Sequence, residues 1–518
     1  MGTTVEPSAD PAPAMSHREI VAVLSGLMLG MFLAALDQSI VGTALKTIVT
    51  DLGGAEHVSW VIAAYLITST VSTPLYGKLS DLYGRKPVYQ VAIGIFLLGS
   101  VLGGVSQNML MLILARAIQG LGGGGLLSLA ITIVGDMVSP RERGRYQGYF
   151  GAVFGLSSVA GPLLGGLLTD TVGWHWIFFV NVPIGVAAWL VVGARLNLPF
   201  TRRDHHLDYL GAVTLVAGVS ALLLVTQWGG EQYAWWSAPI VGLTAAAVVL
   251  LAAFLLVERR SPEPILPLRL FRNRTFSLVN AAQFVIALGM FGAIIYVPFY
   301  LQLVRGYSAT GAGLMMIPVV TGILVTSIGA GQLISRTGRW KPFPVAGTAT
   351  FTVGLGLTAT LSTTTPAWLL GVYLAVIGAG LGLTMQTLVL AVQNDSDPGE
   401  LGVATSSVTF SRSLGGAIGT AVFGAIVTAG TVTLPGTDQL DAEAYTGAIA
   451  LGFLVAVPLG ALSLLLVALV RDTRLRSSSG LDRQAEQARD ERAARDERAA
   501  RDEQAARDEQ ARAAAGQS

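Results

Sequence analysis

The 518-residue sequence has no cysteine and little charge. Without thiols it can form neither a disulfide nor a thiolate metal centre. Only 13% of its residues are charged, against roughly a quarter in a soluble domain. Such a deficit means that much of the surface does not meet water. Lysine is nearly absent: Lys46, Lys78, Lys86 and Lys341 are the only ones. The net charge of +1 makes no case for a nucleic-acid partner. Also missing is the apolar/polar alternation, about ten residues per strand, that marks a membrane β-barrel. No Gly-x-x-x-x-Gly-Lys-Ser/Thr loop is present to cradle a phosphate. No catalytic triad, metal cluster or paired acid site stands out within the apolar runs, so an enzyme is not expected.

What fills the chain instead is apolar: 52% of residues, with a mean hydropathy of +0.61. The charges cluster and leave long apolar runs, each long enough to cross a hydrocarbon core of about 30 Å as helix. Fourteen spans are expected, at 20–48, 59–77, 87–106, 109–134, 146–168, 174–196, 208–228, 238–257, 275–301, 309–332, 343–361, 367–392, 403–428 and 446–470. Basic residues test this assignment. One alternating set of connections holds Arg18; Lys78, Arg85 and Lys86; Arg141, Arg143 and Arg145; Arg195, Arg202 and Arg203; Arg259, Arg260, Arg269, Arg272 and Arg274; Arg336, Arg339 and Lys341; and Arg471, Arg474 and Arg476. The other set holds Lys46 and Arg305. The bias puts both termini in the cytoplasm and requires an even number of spans. One inside connection carries Asp395, Asp397 and Glu400 with no basic residue. Trp228, Tyr233, Trp235 and Trp236, in an outer connection, read as an interfacial aromatic belt.

Two segments recur at an offset of 254 residues. Gly77, Gly84 and Arg85 are echoed by Gly331, Gly338 and Arg339, and Gly161 and Gly165 by Gly415 and Gly419. The echo implies duplicated halves in the same orientation, a known transporter plan. The expected fold is therefore an all-α polytopic membrane protein of two six-helix halves plus two inserted spans. Its parts are an N-terminal tail at 1–18, a first half at 19–200, inserted spans at 201–262, a second half at 263–475 and a charged tail at 476–518. The first apolar run is too long for a cleavable signal core and reads as a retained span. The tail repeats a six-residue unit whose i, i+4 pairs, Glu491–Arg495, Glu497–Arg501 and Glu503–Arg507, favour a solvated helix.

Few residues in the spans can carry chemistry. Asp37 is the acid deep in the first span. A carboxylate in hydrocarbon costs at least about 2.5–3.5 kcal/mol, so it must face a cavity or a partner. That position suits a group that loads and releases protons. Arg116 lies in the fourth span with Gln119 one turn on, on the same face. A guanidinium there can modulate a carboxylate or hold backbone carbonyls. Gly120 and Gly122 to Gly125 allow close helix approach. Gly161, Pro162, Gly165 and Gly166 combine a kink with small residues. Asp81, Gly84, Arg85 and Lys86 form a mixed-charge turn, either a solvated loop or a latch between conformations. Tyr65, Gln119, Gln283 and Gln386 are candidates to line a cavity.

These residues together resemble the major facilitator superfamily, and within it the fourteen-span drug:proton antiporter family. Gly77-x-x-x-Asp81-x-x-Gly84-Arg85-Lys86 is similar to its motif A, Arg116-x-x-Gln119-Gly120 to motif B, and Gly161-Pro162-x-x-Gly165-Gly166 to the antiporter motif C. Leu36 to Leu45, Trp174 to Gly185 and Pro264 to Phe271 resemble segments of the fourteen-span branch. Two positions depart from the pattern: Lys46 stands where a proline is usual, and Ser157 where a glycine is. The resemblance implies a monomer in the bacterial inner membrane, without cofactor or metal, exchanging protons for amphipathic small molecules by alternating access. Asp37 and Arg116 would couple the proton, and Asp81 with Arg85 would stabilise the outward-open state. Importing symport of a nutrient, or a scaffold role for the tail, are the competing readings.

Overall fold

A computed structural model describes residues 17–54, 57–198, 208–230, 232–430 and 441–476, with a few positions of the charged tail. Arg202, Arg203, Glu231, the pairs Glu491–Arg495 and Glu503–Arg507, and residues 1–16 lie outside the described residues. The first half comprises α1 (His17–Leu52), α2 (Val58–Tyr83), α3 (Arg85–Gly104), α4 (Met109–Met137), α5 (Pro140–Thr171), α6 (Trp176–Phe179) and α7 (Asn181–Arg195). Next come α8 (Tyr209–Trp228) and α9 (Ala238–Arg260). The second half comprises α10 (Arg274–Leu303), α11 (Ala309–Leu314), α12 (Ile317–Thr337), α13 (Pro342–Thr358), α14 (Ala367–Asp395), α15 (Leu401–Gly430) and α16 (Ala442–Leu469).

Thirteen membrane-spanning candidates are long and apolar enough on their own. The 17-residue α13 is the fourteenth, short but within the range that can cross. Two spans are broken helices, α6 with α7 and α11 with α12. Each break follows the residue four positions before a proline: Phe179 before Pro183, and Leu314 before Pro318. A proline ring meets the carbonyl four residues back and supplies no N–H in return. Pro162, by contrast, sits inside a continuous α5. With Lys46 in the usual proline position, α1 runs unbroken for 36 residues.

Matched positions of the repeat take matched places in the two halves. Gly84 ends α2 with φ +91°, and its echo Gly338 ends α12 with φ +70°. That left-handed region is why both copies keep glycine there. In the first half the glycine run lets α4 touch two neighbours at once. A Cβ on Gly122 would lie 2.6 Å from the Ala92 carbonyl of α3, and one on Gly120 would strike the Tyr65 carbonyl of α2. The halves meet along two seams, α2 with α15 and α5 with α12. Leu215, Val219 and Leu223 of α8 pack on Ala63, Ile67 and Val71 of α2 and on Phe410, Leu414 and Ala417 of α15. The inserted pair therefore lies over the first seam. At the far end of that pair the Trp228 ring meets Trp60 edge-on at 5.4 Å and Tyr233 at 5.9 Å.

Candidate functional site

Asp37 is fully buried in α1, and side chains of several helices converge on it. Its Oδ2 takes a hydrogen bond from the Arg116 guanidinium of α4. Its Oδ1 accepts from Gln119 Nε2 at 2.7 Å and from Asn181 Nδ2 of α7 at 3.1 Å. Gln119 and Asn181 both donate onward to Ser100 Oγ of α3, at 2.7 and 3.2 Å. Arg116 donates further to Gln119 Oε1 at 2.6 Å and, from Nε, to the Val61 carbonyl of α2 at 3.1 Å. The Tyr65 ring lies under the guanidinium at 4.4 Å, a cation–π contact. Arg116 thus does both things open to it, holding a carboxylate and a backbone carbonyl, and it turns inward rather than to the outer surface.

This placement follows from the helix geometry. Arg116 and Gln119 are three apart and share a face of α4. Asn181 is the first residue of α7, so the break before Pro183 brings a helix terminus to the depth of Asp37. Unpaired charges here would be costly, and removing one partner of a buried pair typically costs about 3–5 kcal/mol. Within the first half, α5 approaches α1 beside the same acid. A Cβ on Gly161 would strike Ser39 Oγ, and one on Gly165 would lie 2.8 Å from the Ile40 carbonyl. Ser157 keeps this contact in place of the usual glycine: its carbonyl accepts from Ser39 Oγ at 3.0 Å. Gly166 faces open space. Of the other candidate lining residues, Gln283 is fully buried and donates to the Met385 carbonyl at 3.0 Å, while Gln386 makes no hydrogen bond among the described residues.

A second cluster closes one end of the bundle. Asp81 lies in the last turn of α2 and is buried, not solvated. It accepts from the backbone N–H groups of Gly402 and Val403, at 3.1 and 2.9 Å. An acid from one half thus caps a helix of the other, which favours contact through the α15 dipole. Arg85 binds Asp81 at 2.5 Å, Asp136 of α4 at 2.7 Å and Ser80 Oγ at 2.5 Å. Lys86 stands apart and donates to Asn197 at 3.0 Å. Nearby, Arg143 is buried rather than in a loop and donates to Gln393 of α14 at 2.9 Å. On the other seam Arg141 donates to the carbonyls of Ser335 and Arg336 at 3.2 and 3.3 Å. All these cross-half bonds lie at the end that carries both Arg18 and Arg476. Two acids of the 395–400 connection find partners from the segment before α10: Glu400 binds Arg269 at 2.5 Å, and Asp395 accepts from Asn273 at 2.8 Å.

Sequence reasoning did not single out Asn181, Ser100, Asp136 or Arg143 as members of these clusters. Asn181 lies inside the Trp174 to Gly185 segment, and its signal is a lone amide at the start of an apolar stretch. Asp136 and Arg143 sit at span ends, where charge is ordinary.

Two repeated helical halves, the first enclosing a buried charge network and the two bonded to each other at one end, define a membrane carrier. The profile of the Major Facilitator Superfamily matches residues 27–208 and 209–420, and the chain belongs to that superfamily: it is a multi-pass membrane transporter, not an enzyme. It is 41% identical over 428 residues to the multidrug transporter protein MdtP of Bacillus subtilis, covering 82% of this chain and 79% of that one. Multidrug resistance protein 3 of the same organism is 38% identical over 406 residues, covering 78% and 79%. The solved proton:xylose symporter XylE superposes with a TM-score of 0.61 at 14% identity, covering 91% of this chain and 99% of that one; that likeness concerns the fold.

Proposed function

We propose that the chain exports drugs, antibiotics or similar amphipathic small molecules in exchange for protons, by alternating access. The carrying observation is the buried Asp37 carboxylate, held by Arg116, Gln119 and Asn181. A proton arriving at Asp37 neutralises the charge that Arg116 holds and frees the guanidinium to shift towards Val61 and Gln119. Loss of the proton restores the pair. The relatives named as multidrug transporters support the substrate class. The Arg/Lys bias supports cytoplasmic termini in a bacterial inner membrane. The closed end is then cytoplasmic, and the conformation is the outward-facing one, latched by Asp81.

The test uses everted vesicles, a fluorescent substrate and an imposed pH gradient. Asp37→Asn should reduce pH-driven uptake to background while the protein still reaches the membrane in normal amount. Unchanged uptake would remove Asp37 from the coupling step.

A further inference from the structure

A buried-depth arginine in the second half stands outside both clusters. Arg412 lies about a third of the way along α15. A guanidinium stays charged in any protein environment, and at membrane depth such groups normally pair or line a pathway. Arg412 makes no hydrogen bond or ion pair among the described residues. Yet the side chain is not sealed away: it is partly exposed.

Its surroundings can be fixed from contacts on either side. Ser411 donates to Asn280 of α10 at 2.9 Å, and Gly415 meets the Phe284 backbone of the same helix. Gln283 of α10 donates to the Met385 carbonyl of α14 at 3.0 Å. Arg412, Gln283 and Gln386 therefore share one layer of the second half. Helical spacing turns Arg412 away from Phe410, Leu414 and Ala417, the residues packed on α8. The layer holds unused hydrogen-bonding capacity. Gln283 Oε1 and Gln386 Oε1 are buried without a partner, and the Gln386 amide makes no bond in the described residues. In the first half the buried cation at membrane depth, Arg116, is answered by Asp37. The second half has the cation without the acid.

We propose that Arg412, with Gln386 beside it, is the subsite for an anionic group, a carboxylate above all, on the transported molecule. The substrate supplies the acid that the second half lacks. Guanidinium and carboxylate match in a two-pronged hydrogen-bonded pair, and the Gln386 amide adds a donor. Amphipathic acids and zwitterions are then substrates, and a lipophilic cation without an acid leaves this subsite unfilled. The inference rests on the export reading.

Binding to the purified full-length protein tests it without requiring transport. The probes are rhodamine 110, which has a free carboxylate, and rhodamine 123, its methyl ester, followed by fluorescence anisotropy. The wild type should favour the acid over the ester. Arg412→Gln should cut that preference about tenfold or more, as expected for loss of a charge-assisted hydrogen bond, and leave ester binding within about twofold. Arg412→Lys should recover part of the preference. A wild type that favours the ester as strongly as Arg412→Gln does would overturn the proposal. So would an Arg412→Gln protein that weakens both dyes equally or neither. Absence of pH-driven movement of either dye would count against the export reading and leave the binding ratio standing.

Discussion

The two seams between the halves are equivalent by the repeat and different in chemistry. At α2–α15, Asp81 caps the opposing helix and is itself held by a buried arginine that also binds Asp136. At α5–α12 the residue in the place of Asp81 is Ser335, and the contact is Arg141 reaching two terminal carbonyls from an exposed position. The polar layers differ in the same direction. The first half pairs Asp37 with Arg116, and the second carries uncharged glutamines and one cation. Duplication thus supplied the geometry twice, while fully buried ion pairs, among the described residues, stand in one copy. Helix packing with glycine at Gly84 and Gly338 needs no charge and survives in both. A buried ion pair fails if either member is lost, so it cannot drift apart one residue at a time.

If that asymmetry matters, substitutions at matched positions should not behave alike. The largest effect is expected at Arg116. Arg116→Lys keeps the charge but cannot reach Asp37, Gln119 and Val61 together. Transport in everted vesicles should fall to near background, at wild-type protein levels in the membrane. Retained transport would mean that charge alone, not the fork geometry, serves Asp37.

Next is the latch. Asp81→Ala removes the cap on α15 and leaves Arg85 with one acid. A shift of about 1.4 kcal/mol changes the balance between states tenfold, and a partly buried charge at a helix terminus is worth up to about 2 kcal/mol. Turnover should drop about tenfold, and spin labels across the closed end should report a longer distance. Unchanged distances and turnover would reduce the cluster to packing.

Smaller is the effect of closing the α1–α5 approach. Gly161→Ala drives a methyl into Ser39, so transport should fall severalfold and the thermal midpoint by a few degrees; an overpacked site costs about 1–3 kcal/mol. Gly166→Ala places its methyl in open space on the same helix and should match wild type in the same assays. Smallest is the second seam: Ser335→Ala leaves the carbonyl that Arg141 uses untouched, and turnover should stay within about twofold. A loss comparable to that of Asp81→Ala would abolish the asymmetry.

The spans and their repeat were legible because both signals are local. Apolar length marks a crossing, and Gly84 with Gly338 marks a backbone turn that only one residue type takes easily. The nearness of Asp37 and Arg116 was suggested by their being the rare charges at depth. Their remaining partners were not legible. Ser100 and Asn181 are ordinary residues in their own helices and gain meaning only when α3 is placed beside α4 and α7 beside α1. Arg412 left a plain signal, a lone cation within a span, which the motifs around it outshone. The breaks at Val180 and at Met315 to Met316 were hidden within continuous apolar runs, because hydropathy is blind to the proline that ends each helix.

The position of α8 makes the two flanks of the bundle unequal towards the lipid. Its side chains bridge α2 and α15, and among the described residues no helix outside the two halves lies over α5 and α12. One flank is therefore shuttered and the other bare. Lipid therefore meets one seam directly and the other only through an added helix pair, so the outer surface of the bundle is lopsided although its halves are two copies of one plan.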